Sequence, residues 1–341
     1  MLNRRILRIK AFKAIYSFTE NRSVTLRDLE AQLDRSLEST RDLYLFLLCC
    51  VGPLTREAKS RLEAAQGKFN PTEEERHPNF KFAGNLIVSK LEEDPDFVKI
   101  TQKKKLDWEQ YDVLLRHLYD SIRTKDYYKD YLASGPNTLK EDAALWVKIF
   151  EEEFVDSEEL EGILEDLSIW WNDDLAYALT WCCKTMENLG RGKPWNLPPL
   201  FMSDMDETHS KESDKAFVTK LLRTAYNGYD AYVARINEVT PKWDLNRICS
   251  TDLSLIVCGI AESEAFPGIA PKVTINEFVE IAKAYSTPRS GAYVNGMLDS
   301  IVRWLIDEGK IKKTMPERRK NEEETDLKGY DADVSTEPTN L

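Results

Sequence analysis

The sequence predicts an all-α protein, and three observations support that prediction. Among its 341 residues are only 14 Gly and 14 Pro, and many of the prolines are clustered. Long stretches rich in Leu, Glu, Lys and Ala lie between the clusters, and these residues favour helix. A hydrophobic fraction of 42% that includes 8 Trp is sufficient for a packed core.

Helices are predicted from the spacing of apolar residues between breaks. We expect them at residues 3–20, 25–51 (continuous or restarted near 43), 106–131, 139–154, 169–189, 217–239, 246–264, 274–285 and 291–308. Asn3 is a candidate cap of the first helix. Thr274 and Glu277 have the spacing of a capping box, so we expect a helix to begin there. Gly309 is a natural residue to follow the last helix.

The net charge of −12 is unevenly distributed. An acidic average disfavours nucleic-acid binding. However, residues 1–19 contain no acidic side chain and have five cations: Arg4, Arg5, Arg8, Lys10 and Lys13. The three arginines fall within an arc of about 100° on a helix, where they could grip phosphates. Phe12 and Tyr16 could stack on bases or on a protein. Alternatively, this segment is a solvated helix face with Phe12 and Tyr16 turned to the core.

Sequence patterns of catalysis and metal binding are not found. The 3 His residues are not spaced with each other or with Cys as a metal site requires. Phosphate-loop and nucleophile-elbow motifs are also missing. The 6 Cys are expected to be buried free thiols in a reducing cytoplasm. The longest apolar run, near 43–51, is far short of the ~20 residues of a membrane span. We therefore expect a cytoplasmic protein that is not an enzyme and uses no cofactor, no metal and no membrane.

Three motifs in the C-terminal third resemble those of the NusB family of transcription antitermination factors. In order they are Trp243-Asp244-Leu245-Asn246-Arg247-Ile248 with Thr251-Asp252 and Glu262, then Val273-Thr274-Ile275-Asn276-Glu277 with Glu280-Ile281-Ala282-Lys283, then Tyr293-Val294-Asn295-Gly296-Met297-Leu298-Asp299. The Arg-rich start, with Ala14-Ile15-Tyr16, is similar to the family's first helix. The resemblance covers roughly the first 50 residues and residues 214–313.

The resemblance implies a helical bundle of two subdomains, with a large helical insertion in the N-terminal half of the chain. We expect a first NusB-like part at 1–52, a helical insertion and linker at 53–213, the rest of the NusB-like domain at 214–313, and a disordered tail at 314–341. The family does not indicate a role for the insertion.

The resemblance also implies a function. NusB proteins bind boxA-type single-stranded RNA together with NusE, a small-subunit ribosomal protein, and through it join the antitermination complex of RNA polymerase. By this resemblance Arg4, Arg5 and Arg8 contact the RNA, and Tyr16 and Asp252 lie at the partner interface. We expect structural roles for Asn276 and Asn295, as buried and hydrogen-bonded polar residues, and for Gly296, as a point of close helix approach.

Two other functions fit parts of the pattern. Some RNA cytosine methyltransferases have a NusB-like domain, but they need a cofactor-binding α/β domain, and the insertion shows no alternating strand pattern. The second alternative is a helical protein-interaction scaffold with little RNA affinity, which the acidic total charge favours.

Overall fold

The computed structural model describes residues 1–171, 173–201, 213–239 and 248–315. Within these ranges the regular structure is α-helical, apart from an isolated parallel bridge between Leu2 and Phe201. The predicted all-α class is confirmed. Two predicted features fall outside the described residues: most of the tail at 314–341, and the motif residues from Trp243 to Arg247.

The first two helices begin where the sequence predicts. Helix α1 spans Arg4–Glu20, and the side chain of Asn3 caps it by accepting a hydrogen bond from the Ile6 amide at 3.1 Å. Helix α2 spans Leu26–Leu48 without interruption. Its start is fixed by Thr25 and Asp28, each of which accepts a hydrogen bond from the other's backbone amide.

The insertion is a series of further helices. They are α3 (Val51–Gln66), α4 (Glu73–Arg76), α5 (Leu86–Glu92), α6 (Pro95–Lys104), α7 (Asp112–Thr124), α8 (Asp126–Ala133), α9 (Leu139–Glu153), α10 (Glu158–Leu167) and α11 (Leu175–Gly190). The helix predicted at 139–154 is confirmed as α9. The single helix predicted at 106–131 is wrong, because the chain turns at Lys125 between α7 and α8.

The chain divides into two compact units. Unit 1 comprises residues 38–200 with Met1, and unit 2 comprises residues 2–37 together with those from 201 onward. These boundaries differ from the predicted ones at 52/53 and 213/214. The unit boundary at 37/38 lies within α2, whereas the predicted junction at 52/53 lies in the first turn of α3.

Unit 1 has an aromatic core. Phe46 of α2 stacks on Trp108 at a ring separation of 5.0 Å, and Trp171 lies 5.4 Å from Phe46. A second cluster surrounds Trp146 of α9, whose ring is 5.8 Å from Phe82 and 5.8 Å from Phe150. The indole of Trp108 donates to the backbone oxygen of Phe46 at 2.7 Å, so burial leaves this donor satisfied.

The described residues of unit 2 form four more helices. They are α12 (Asp214–Val239), α13 (Ser250–Ala265), α14 (Pro271–Tyr285) and α15 (Ser290–Asp307). Helix α13 packs against α1, α12, α14 and α15, and every residue from 254 to 263 is buried. It is therefore the central helix of this unit.

The predicted start of α14 at a Thr274–Glu277 capping box is wrong. The helix begins one turn earlier, at Pro271, because proline's fixed φ suits the first helical position and its missing N–H costs nothing there. The Thr274 hydroxyl instead donates to Glu262 at 2.8 Å.

Gly259 is the position where α13 and α15 approach closely. A Cβ atom at Gly259 would lie 2.6 Å and 2.8 Å from the two methyl carbons of Leu298, which is fully buried. Close helix approach is also predicted for Gly296, which is half-buried, and that role stays a prediction. The missing side chain at Gly259 therefore lets these two helices touch.

We expect Gly259→Val to lower the free energy of unfolding by about 1–3 kcal/mol, the usual cost of overpacking a core. Urea unfolding followed by circular dichroism measures this. The control is Gly162→Val in α10, where an added Cβ meets no atom within 4 Å, so little change is expected. Equal stability of the two variants would show that Leu298 moves aside without cost.

Candidate nucleic-acid interface

Helix α1 is more deeply buried than its charge suggests. Its inward positions include Arg8 and Lys10 in addition to apolar residues. Its outward positions recur every three or four residues: Arg5, Ile9, Lys13, Tyr16, Ser17 and Glu20, each at least partly exposed. The helix therefore presents one narrow stripe to solvent, with a guanidinium near its start and an aromatic ring near its end.

Arg8 lies beneath this stripe in a buried ion pair. Its Nε donates to Glu262 Oε2 at 2.7 Å, and its Nη2 donates to Glu262 Oε1 at 2.9 Å. Arg8 is 4% exposed and Glu262 is 0% exposed. The guanidinium also lies 5.4 Å from the centre of the Phe217 ring. The pair is bidentate, so Arg8 fixes α1 against α13.

The expectation that Arg8 lies on an exposed arginine face is therefore not met. A helix whose neighbours cover most of its circumference has room for few exposed positions, and Arg8 shares the inward arc with Ile15 and Ala11. A buried guanidinium requires a carboxylate, and Glu262 supplies it. The structure favours a role for Arg8 in positioning α1. Contact with RNA stays a prediction for Arg4 and Arg5.

Arg5 and Arg4 are the more accessible arginines. Arg5 pairs with Glu277 through Nε at 3.0 Å and Nη2 at 2.9 Å, and its side chain is 52% exposed. Arg4 lies 3.4 Å from Asp214 and 4.7 Å from the ring centre of Phe217, and it is half-buried. Both guanidiniums are thus held in place while part of each faces solvent.

Glu277 is the acidic group that orients Arg5. The hydrogen bond from Arg5 lowers the pKa of this carboxyl, and the charges of Arg8 and Arg5 add to the effect. Because the folded-state pKa is lowered, the pair stabilises the fold above the ordinary pKa of glutamate. That stabilisation is lost as the pH falls through the lowered pKa.

Tyr16 lies at the far end of the same stripe. It is 38% exposed, and its ring is 6.4 Å from that of Phe12. Phe12 is buried, with Tyr285 at 5.8 Å, and Lys13 lies 5.3 Å from the Tyr285 ring. Of the two predicted aromatic residues, Phe12 therefore faces the core and Tyr16 faces outward. The partner contact at Tyr16 stays a prediction.

Asp252 is not placed where a partner could touch it. It is 0% exposed, and its Oδ2 accepts a hydrogen bond from Ser290 Oγ at 2.8 Å. Ser290 begins α15, so Asp252 joins the first turns of α13 and α15. A direct partner contact would require this carboxylate to leave its site. We therefore correct the expectation, because Asp252 is an internal acceptor.

The three predicted structural residues have different surroundings. Asn276 is exposed, which contradicts its predicted burial. It is one residue from buried Ile275, and a step of about 100° turns it away from the core side of α14. Asn295 and Gly296 are half-buried at the edge of the core side of α15. Their structural roles stay predictions.

Glu262 was not predicted to have a role, and Glu277 was not predicted to pair with Arg5. A signal for Glu262 was present, since this carboxylate ends the otherwise uncharged run Leu253 to Ala261. A charge within a buried helix face needs a partner of opposite sign. Lys313 is a second cation near Glu262: burial lowers the pKa of this amine, while the Glu262 charge opposes the shift.

The remaining chemistry of the described residues is limited. All six cysteines are free thiols; Cys50, Cys182 and Cys258 are buried. Burial raises the pKa of the Cys49 thiol to about 12, with a further contribution from Asp107. In the part of the chain that the structure describes, no cluster of three or more His, Cys, Asp or Glu side chains could hold a metal ion. None of the described helices combines the length and apolar character of a membrane span.

Fold and site together define an all-α protein whose basic first helix is held in place by ion pairs. The family model described as "NusB family" matches residues 191–303. Proteins named "Transcription antitermination protein NusB" are similar to this chain: that of Salinibacter ruber is 37% identical over 102 residues, and that of Methylacidiphilum infernorum is 39% identical over 109 residues. The chain belongs to the NusB family.

The similarity covers part of each protein. The two matches cover 30% and 32% of this chain, and 64% and 69% of the relatives' own lengths. The relative from Chloroherpeton thalassium is 34% identical over 100 residues, 29% of this chain and 47% of its own length. No solved structure matches the chain. The matched segment lies in the C-terminal part, and most of unit 1 falls outside the family match.

Proposed function

We propose that this chain is a non-enzymatic transcription antitermination factor that binds boxA-type single-stranded RNA together with NusE. Through NusE it joins the antitermination complex of RNA polymerase and supports transcription of ribosomal RNA. Family membership supports the antitermination role. The RNA, the partner and the transcript are part of the proposal.

One observation carries the RNA-binding part. The start of α1 presents Arg5 and Arg4, both partly exposed, in a segment without acidic side chains, although the whole chain has a net charge of −12. Glu277 and Asp214 hold these guanidiniums in fixed positions. Holding them in place reduces the side-chain entropy lost on binding, and an arginine fork matches the geometry of a phosphate.

We expect Arg4→Gln/Arg5→Gln to weaken binding of boxA-type RNA, measured by fluorescence anisotropy with and without NusE. Each phosphate contact on a single strand contributes about 0.7 to the slope of log affinity against log salt, so two lost contacts reduce that slope by about 1.4. Loss of the more exposed Arg5–Glu277 pair is expected to cost about 0–1 kcal/mol. Loss of Arg4 leaves the buried Asp214 without this partner, so binding is measured at a temperature where circular dichroism shows the variant folded.

The control variant is Arg76→Gln/Arg116→Gln in unit 1. These two arginines are also exposed and also paired with nearby carboxylates, Glu73 and Asp112. The control removes the same amount of charge, but from helices that are not part of the proposed site. It is therefore expected to leave RNA affinity nearly unchanged. Equal losses in the two variants would mean that net charge, and not the start of α1, governs binding.

The ion pairs of Arg4, Arg5 and Arg8 favour a second candidate function, a protein-interaction scaffold with little RNA affinity. Carboxylates already neutralise each of these guanidiniums within the fold. The same titration separates the two functions. A scaffold would bind NusE but show no preference for boxA-type RNA over a scrambled sequence.

A further inference from the structure

The N-terminal half of α12 has a second basic surface in unit 2. From residue 215 to residue 229 there is no acidic side chain, and Lys215, Lys220 and Arg223 contribute three positive charges. A shallow groove of about 550 Å³ runs along this face. Besides Ser213 and Ala216, it is lined by the three cations and by three uncharged hydrogen-bonding side chains of α12, Thr219, Thr224 and Asn227. We name these six residues the α12 face.

The residues of the α12 face point to solvent because the opposite side of the helix packs in the core of unit 2. Phe217, Leu221 and Ala225 are fully buried, whereas Lys215, Lys220 and Arg223 are exposed. The residues of the face recur at spacings of three and four, which keeps them on one side of the helix. The sequence pattern alone therefore dictates a polar, basic strip opposite an apolar one.

The first turn of α12 also contacts the start of α1. Arg4 lies 3.4 Å from Asp214 and 4.7 Å from the ring centre of Phe217, both in the first turn of α12. Lys215 lies between these two residues in the chain. Arg4 and Lys215 therefore both lie near the N-terminal end of α12.

Three carboxylates near this surface, among the residues that the structure describes, are each paired with a cation. Asp214 pairs with Arg4, Glu30 pairs with Arg223 at 2.5 Å, and Asp230 pairs with Arg22 at 2.5 Å. Local repulsion of an anion is therefore reduced. Lys215 and Lys220 add positive charge to that of α1 within unit 2, in a chain that is acidic overall.

We propose that the α12 face binds the sugar–phosphate backbone of the same single-stranded RNA, next to the segment held by Arg4 and Arg5. This rests on the proposed RNA-binding function. Lysine ammonium groups suit phosphate as point charges, and the threonine hydroxyls and the asparagine amide add donors for phosphate and ribose oxygens. Such contacts hold the strand without reading its bases. The face extends the site from the boxA-type element to flanking RNA of any sequence.

The test uses the full-length variant Lys215→Gln/Lys220→Gln/Arg223→Gln and two RNAs: a boxA-type oligonucleotide, and the same oligonucleotide with uridines added at both ends. The wild-type chain is expected to bind the extended RNA more tightly. The triple variant is expected to lose that gain, so that its affinity for the extended RNA at low salt is at least tenfold below that of wild type. Its salt slope on the extended RNA falls by about 2, or about 0.7 for each of three contacts.

Two further variants sharpen the result. The matched control is Lys90→Gln/Lys99→Gln/Lys103→Gln, which removes three exposed lysines of unit 1 and is expected to keep the gain from the uridines. Glu30→Gln is expected to have the opposite effect on RNA affinity, because it removes the carboxylate that neutralises Arg223. It is expected to strengthen binding of the extended RNA. All variants are compared at a temperature where circular dichroism shows them folded.

Each outcome decides the proposal. Loss of the gain in the triple variant alone supports it. A triple variant that binds both RNAs like wild type overturns it, and the proposed function still holds if Arg4→Gln/Arg5→Gln weakens binding. An equal loss in the lysine control assigns the effect to net charge and also overturns it. If wild type binds neither RNA, with or without NusE, the proposed function fails first. If the face captures an acidic peptide in place of RNA, the assignment of RNA as its ligand is wrong.

Discussion

Arg8→Met is expected to lower the free energy of unfolding by about 3–5 kcal/mol, the cost of leaving one member of a buried ion pair without its partner. Glu262 would keep the Thr274 hydroxyl as a donor but lose both bonds from the guanidinium, at a fully buried site. Desolvation of an unpaired carboxylate dominates this cost. Urea unfolding followed by circular dichroism measures it.

Two controls show whether the effect comes from a buried pair. Arg8→Met/Glu262→Met is expected to recover most of the loss, because an apolar pair of similar volume is often as stable as a buried ion pair. Arg5→Met breaks the exposed pair with Glu277 and is expected to cost no more than about 1 kcal/mol.

RNA affinity is a second measurement on Arg8→Met, and here no change is expected. A folded Arg8→Met chain is expected to keep its RNA affinity, because Arg8 is buried below the exposed stripe of α1. A normal unfolding curve combined with lost RNA affinity would contradict the positioning role. It would show that Arg8 reaches the ligand, as the family resemblance implied.

The sequence predicted the helices more reliably than the side-chain environments. Apolar spacing and the Asn3 cap predicted α1, and apolar spacing alone predicted α9. The environment of Arg8 could not be read in the same way, because it depends on Glu262, which is 254 residues away in the chain. A cluster of arginines on one helix arc shows only that they are neighbours. Whether neighbouring elements cover that arc is decided by packing.

The errors in α14 have a related cause. Thr274 and Glu277 have the spacing of a capping box, but a Thr and a Glu at that spacing also serve inside a helix. Pro271 is the stronger start signal, since it fixes φ at the first helical position. Thr274 and Glu277 were then left to bond with Glu262 and Arg5 on other elements. A capping motif predicts a helix start reliably only when its side chains have no hydrogen-bond partners on other elements.

Trp146→Ala is expected to lower the free energy of unfolding by about 3–5 kcal/mol, the usual cost of removing a buried tryptophan. Trp146 is fully buried in unit 1, between the rings of Phe82 and Phe150. Its indole donates to Asn85 Oδ1 at 3.3 Å, and the same oxygen caps α5 by accepting from the Ile87 amide. The substitution therefore opens a cavity and loosens the start of α5. Urea unfolding measures the loss.

The matched control is Phe69→Ala in the same unit, where the ring is fully exposed and little change is expected. RNA affinity gives a second readout. Every proposed RNA contact lies on α1 or α12, so the folded Trp146→Ala chain is expected to bind RNA like wild type. Unchanged stability would show that the ring cluster is not what holds unit 1 together. If RNA binding is lost while unit 2 stays folded, the insertion takes part in RNA recognition, and the ligand surface extends beyond the family-like unit.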